Sequence, residues 1–167
     1  MIGIAVTDAH ANIVLWGEKG WNIKFPSYKS LFKTVKMHLL IKEDLHKLPI
    51  SEAKKLCYHS LQQGNCYFSV DLLLDADGFI FHTLRKGKKE FMTIQLGKLI
   101  PRVPKEIQLL RNGVPFAKTN SEGLEVEINE PGTYRAEVYL TIKNIFGMKR
   151  KVLWIGSNPI VVRRVRG

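Results

Sequence analysis

The spacing of apolar residues changes abruptly at Gly64, and this change constrains the fold more than any other feature. Before it, apolar residues recur three and four apart. After it, apolar and polar residues alternate in short runs at 66–72, 79–84, 91–96, 106–111, 114–118, 124–128, 133–140, 152–155 and 160–164. Between the runs stand turn formers: Asp77-Gly78, Lys86-Gly87, Asn112-Gly113, Glu122-Gly123, Pro131-Gly132 and Ser157-Asn158-Pro159. Alternation puts successive side chains on opposite faces of a strand, so each run has one face to bury. Short strands at this spacing predict antiparallel sheets packed as a sandwich or barrel. Asn112-Gly113 is the strongest local signal, because both residues tolerate the positive φ of a two-residue hairpin turn.

Residues 1–64 read differently. Residues 1–6 are uniformly apolar and predict a short buried strand. Such a strand needs neighbours on both sides, and these are expected from sequence upstream of Met1. Ser27 follows Pro26 as a helix start, and Leu31, Phe32, Val35, Leu39 and Leu40 continue at helical spacing to about residue 41. Ser51 is read as the cap of a second helix, with Ala53, Leu56, Cys57, Ser60 and Leu61 on one side and Gly64 as its stop. One strand and two helices cannot close a sheet. The boundary therefore falls near residue 64, giving segments 1–64 and 65–167.

With 167 residues, the chain is long enough to bury a core without disulfide staples. Its 26 Lys and Arg against 15 Asp and Glu give a formal charge of +11. The excess is spread along the chain and favours anionic partners, nucleic acid or phosphates among them. No run approaches the roughly 18 uncharged apolar residues of a spanning helix, so no membrane partner is expected. Ala9-His10-Ala11 has the form of a signal-peptidase site, but no basic residue precedes it. Cys57 and Cys66 are too few for a disulfide framework and read as reduced thiols, so a cytoplasmic location is expected.

Asp8-Ala9-His10 is the sharpest site candidate. In an extended segment residues two apart share a side, so a carboxylate and an imidazole would face one cavity. They stand just beyond a predicted buried strand, where α/β proteins place their sites. Asp8 and His10 could serve as metal ligands or as an acid/base pair; the bland alternative is a loop Asp beside an incidental His. His38, His46, His59 and His82 form no close pair with ligand spacing, and catalytic zinc needs three protein ligands. Cys57 lies on the apolar side of its helix and reads as core. Residues 85–89 and 149–151 are basic clusters between strands, read as hairpin tips first and as an anion-binding surface second. In 131–138, Tyr134, Ala136 and Val138 fall on a core face, and Arg135 and Glu137 on a surface face.

Four stretches together carry a family resemblance: 6–11, Val-Thr-Asp-Ala-His-Ala; 25–32 continuing to His38-Leu39-Leu40; 64–71 with Asp77-Gly78-Phe79; and 131–140 with 154–160. The chain resembles the C-terminal part of a PHP-type (polymerase and histidinol phosphatase superfamily) metal-dependent phosphoesterase, including the tail domain that follows some of these barrels. The resemblance implies a seven-stranded distorted β/α barrel whose last strand is residues 2–6. It also implies that Asp8 and His10 bind two of a cluster of divalent metals (Zn, Mn or Mg), which activate water against a phosphate ester. The family's earlier His-x-His pair and its other ligands would lie upstream, so the chain alone is expected to be inactive.

The expected class is α+β: a barrel-remnant strand and two helices, then an immunoglobulin-like antiparallel β-sandwich. Two functions are expected as alternatives. One is a phosphoesterase fragment completed by an upstream barrel half or by a second copy in a homo-oligomer. The other is an accessory or binding module that docks on a protein partner or a polyanion.

Overall fold

A computed structural model describes residues 3–5, 33–97, 103–143 and 146–163, and the backbone at 13–15 and 21–23. Twelve strands and one α-helix are found among these residues. Strands β1 (Ile13–Leu15) and β2 (Trp21–Ile23) form a small antiparallel hairpin. Next come β3 (Lys36–Leu39), a single 3-10 turn (Leu45–Lys47), helix α1 (Ile50–Gln63) and β4 (Cys66–Ser69). The remaining strands are β5 (Ile80–Lys86), β6 (Lys89–Gln95), β7 (Lys105–Arg111), β8 (Val114–Thr119), β9 (Gly123–Glu127), β10 (Gly132–Lys143), β11 (Lys149–Ser157) and β12 (Ile160–Val162).

Two antiparallel sheets share one apolar core in a β-sandwich-like arrangement. The larger runs β3-β4-β11-β10-β7-β8, with β12 also on β10; the smaller runs β5-β6-β9. Tyr134, Ala136 and Val138 on β10, Ile107 and Leu109 on β7 and Ile155 on β11 are fully buried, facing Met92 and Ile94 of β6. The alternation read from the sequence is thus the alternation that is buried. The turn between β7 and β8 has Asn112 at φ 52° and Gly113 at φ 83°, the positive pair expected of Asn-Gly. At the other face of β10, Arg135 pairs with Glu137 as expected.

The expected α+β class is overturned: the described residues are β-rich, with one α-helix and not a barrel strand followed by two helices. Residues 3–5 of the expected strand join no ladder, and Ile4 is 62% exposed. The backbone there is held by isolated contacts: Gly3 N–H donates to Asn158 Oδ1 at 2.7 Å and Ala5 N–H to Met37 Sδ at 3.4 Å. In the expected first helix, Lys36–Leu39 is a strand paired antiparallel with β4. Lys36 and His38 face Asp71 and Ser69, an alternation that a helix cannot offer. Pairing with an open sheet edge outweighs a weak local helical preference. The 27–32 part of that helix, and Asp8 and His10, lie outside the described residues.

Helix α1 ends as expected at Gly64, with φ 71°. Its start differs. Pro49, not Ser51, is the capping residue, and the Pro49 carbonyl accepts the N–H groups of Glu52 and Ala53, each at 3.0 Å. Proline's fixed φ serves this entry without a side-chain cap. Strand β3, upstream of residue 64, hydrogen-bonds to β4, downstream of it.

Candidate functional site

The densest cluster of chemically capable side chains lies where β3 meets β4. His38 Nε2 is 2.8 Å from Ser69 Oγ and 3.4 Å from Asp71 Oδ1; His38 Nδ1 is 3.3 Å from Asp77 Oδ1. Lys36 Nζ lies 2.6 Å from Asp71 Oδ2, off the direction of a hydrogen bond, so the contact is best described as an ion pair. The His38 ring stacks on Tyr67 at 4.5 Å with planes 2° apart, and Tyr67 Oη donates to the Ala76 carbonyl at 2.8 Å. Burial pushes the Asp71 carboxyl up, but Lys36, Ser69 and His38 together hold it below its ordinary value. Burial, with Asp77, Asp71 and Asp75 adding to it, raises the Tyr67 phenol.

Ser69, His38 and Asp77 have the connectivity of a nucleophile, a base and an orienting acid. They do not have the access. Ser69 is fully buried, and its hydroxyl donates to Asp71 rather than standing free to attack. The cluster is therefore a clasp: it fixes the edge strand β3 to β4 and to the 75–79 turn that leads into the second sheet.

A second feature is a groove of about 470 Å³ on the outer face of the larger sheet. Phe68, Leu153 and Gly156 line it, with Arg135 and Glu137 on β10 and Ile4 from the segment that crosses it. The Phe68 ring occupies the space a side chain on Gly156 would need. Glu137 accepts from Arg135 and from Tyr139 Oη at 2.5 Å; the Tyr139 phenol is pushed up to about 12, chiefly by Glu137 and then by burial. At the rim, Asn158 Nδ2 donates to the Cys66 carbonyl at 3.2 Å and to its Sγ at 3.0 Å. Burial raises the Cys66 thiol, which makes it a poor nucleophile. Cys57 is half-buried on α1, and both cysteines are free thiols.

The basic clusters separate. The β5–β6 turn carries Arg85, Lys86, Lys88 and Lys89 at the end of the molecule where Arg111 and Glu130 lie. Lys143, Lys149 and Arg150 lie at the opposite end, past the rung where Leu140 pairs with Lys105. Pairing also differs. Lys86 meets Glu125 at 2.7 Å and Lys89 meets Glu127 at 2.9 Å, whereas Lys151 meets Glu106 at 2.8 Å. Lys143, Lys149 and Arg150 are exposed and form no ion pair among the described residues.

Asp8 and His10 lie outside the described residues, and among those described no three His, Cys, Asp or Glu side chains converge to hold a metal. The β3–β4 clasp has no local sequence signal, because His38 stands 31 residues from Ser69 and 33 from Asp71. The apolar residues beside the second basic cluster, Phe146 and Met148, were also missed; an apolar stretch at 145–148 bracketed by Lys143 and by Lys149-Arg150 was the available sign. No protein-family model matches this chain, and neither a curated protein nor a solved structure is significantly similar to it. Among the described residues no helix is long and apolar enough to cross a membrane.

Proposed function

We propose that the chain is a binding module, an immunoglobulin-like accessory domain in the sense expected from its sequence, that docks on a polyanion through the β10–β11 end. The observation that carries this reading is the set of three cations there that form no ion pair among the described residues. Lys143 and Lys149 stand directly opposite each other in the ladder, and Arg150 is opposite Ile142. Like charges facing across a strand pair repel, and an anionic partner relieves that cost. The net charge of +11 adds long-range attraction of the same sign. The phosphoesterase alternative rests on Asp8, His10 and a barrel strand at 2–6; residues 3–5 do not form that strand, and nothing among the described residues favours this alternative over the binding reading.

The test is retention on phosphocellulose over a salt gradient. Wild type is expected to be retained at low salt. The triple variant K143Q/K149Q/R150Q should elute far earlier, with the slope of log affinity against log salt reduced by about 2–3 when each cation meets one phosphate. A control at the other end, K86Q/K89Q, whose cations already meet Glu125 and Glu127, should shift elution much less. Shifts in proportion to the charges removed, three against two, would mean that net charge alone is being read, and the site assignment would fall.

A further inference from the structure

Resting on that reading, we infer that the polyanion is an anionic lipid surface, and that the β10–β11 hairpin enters its interface tip first. Beyond the Leu140–Lys105 rung the hairpin continues as a two-stranded ribbon, from Thr141–Lys143 on one strand to Lys149–Lys151 on the other. Past the last pair, Lys143 and Lys149, the chain carries Phe146 and Met148. These two are among the most exposed large apolar residues described, at 79% and 62%. Gly147 between them has φ 78°. Ile142, one rung back, is also exposed.

The order of chemistry along the ribbon matches a bilayer interface. An aromatic ring and a thioether lie exposed beyond the last rung, where they would leave water for the acyl boundary. Lys143, Lys149 and Arg150 come next, at the depth of phosphate and carboxylate headgroups. Their long stems let the charges stay at that level while the apolar tip goes deeper. The cations lie on both faces of the ribbon, because Lys143 and Lys149 share one face and Ile142 and Arg150 the other. A ribbon standing upright among headgroups meets anions on both sides, whereas a groove-bound strand of nucleic acid would meet one. A single-stranded nucleic acid would also call for several stacking aromatics, and the ribbon presents one. The contact is interfacial and does not require a spanning segment.

The experiment is vesicle co-sedimentation of the full chain, run beside the phosphocellulose assay. Vesicles are pure phosphatidylcholine, or phosphatidylcholine with about one third phosphatidylserine, enough to give a negative surface potential. Wild type should sediment with the anionic vesicles and stay in the supernatant with the neutral ones, and the binding should weaken as salt rises. F146S/M148S should bind anionic vesicles at least roughly tenfold more weakly, with phosphocellulose retention and melting temperature unchanged. Phe146→Trp should keep vesicle binding, and its emission should move to the blue on vesicle addition. Retention on phosphocellulose without vesicle binding would overturn the lipid inference and leave the polyanion reading standing. So would full vesicle binding by F146S/M148S, or an unmoved emission from the Phe146→Trp variant. Loss of neither activity in K143Q/K149Q/R150Q would overturn both.

Discussion

Asp71 shows how a single side chain fixes an edge strand. Its carboxyl is nearly inaccessible, at 5% side-chain exposure, with Lys36 on one oxygen and Ser69 and His38 on the other. Asp77 faces the second nitrogen of the same imidazole. Burial opposes the charge, and the three partners outweigh it, so the folded carboxyl titrates below its unfolded value. A depressed carboxylate contributes stability that is fully present above its unfolded pKa, about 4, and is lost as pH falls through the folded value. The advantage in melting temperature of wild type over Asp71→Asn should therefore be constant above about pH 5 and shrink below about pH 4. An advantage independent of pH down to about 2 would show that the carboxylate charge is not what holds β3. Lys36 and Asp71 stand far apart in sequence, and their contact was not legible there. Arg135 and Glu137, two apart on an alternating strand, were legible as a pair, although Glu137 is buried and not on the surface.

At the scale of elements, the strands after Gly64 were readable because alternation and turn chemistry agree over short distances. The start of β7, the Asn112-Gly113 turn and the faces of β10 follow from those rules alone. Strand β3 was not readable: Val35, Leu39 and Leu40 satisfy a helical spacing, and only the open edge of β4 makes four residues extend. The turn at 77–78 depends on a close approach as well. A Cβ on Gly97 would lie 2.1 Å from the Asp77 carbonyl oxygen and 3.2 Å from Gly78 Cα, both of them backbone atoms. Backbone cannot swing aside as a side chain can. Gly97→Ala should cost about 1–3 kcal/mol, the usual cost of overpacking, measured by urea denaturation. An unchanged midpoint would mean that the turn yields freely and does not anchor Asp77 against His38. Tyr134 adds a local tie of its own, donating to the Glu130 carbonyl four residues upstream at 2.8 Å. That hydrogen bond forms a tyrosine corner where the chain enters β10.

At the scale of the molecule, the two sheets are joined through Trp154. On β10, Val138 pairs with Ile155 and Tyr139 with Leu153, so Trp154 is the extra residue of a β-bulge. The bulge puts the indole in the core, fully buried, and its N–H donates to the Leu74 carbonyl at 2.7 Å. The Trp154 carbonyl in turn accepts from Val70 N–H at 2.8 Å. The 70–76 connection between the sheets is thus tied to the middle of the larger one. Trp154→Ala should cost about 3–5 kcal/mol, combining a cavity with a lost hydrogen bond, and Trp154→Phe should cost less. Equal losses in calorimetric melts would assign the effect to the N–H alone. By itself the sequence determined the β-rich architecture from residue 66 onward, the helix ending at Gly64 and the excess of positive charge. Each follows from periodicity, turn residues or composition, which act within a few residues or over the whole chain at once. Only the tertiary structure decided that 36–39 is a strand, that a Ser-His-Asp set with a buried serine acts as a clasp, and that cations without an acidic partner among the described residues gather beside Phe146 and Met148. Those outcomes depend on which distant segments meet across the ladders, and a local pattern does not encode such meetings.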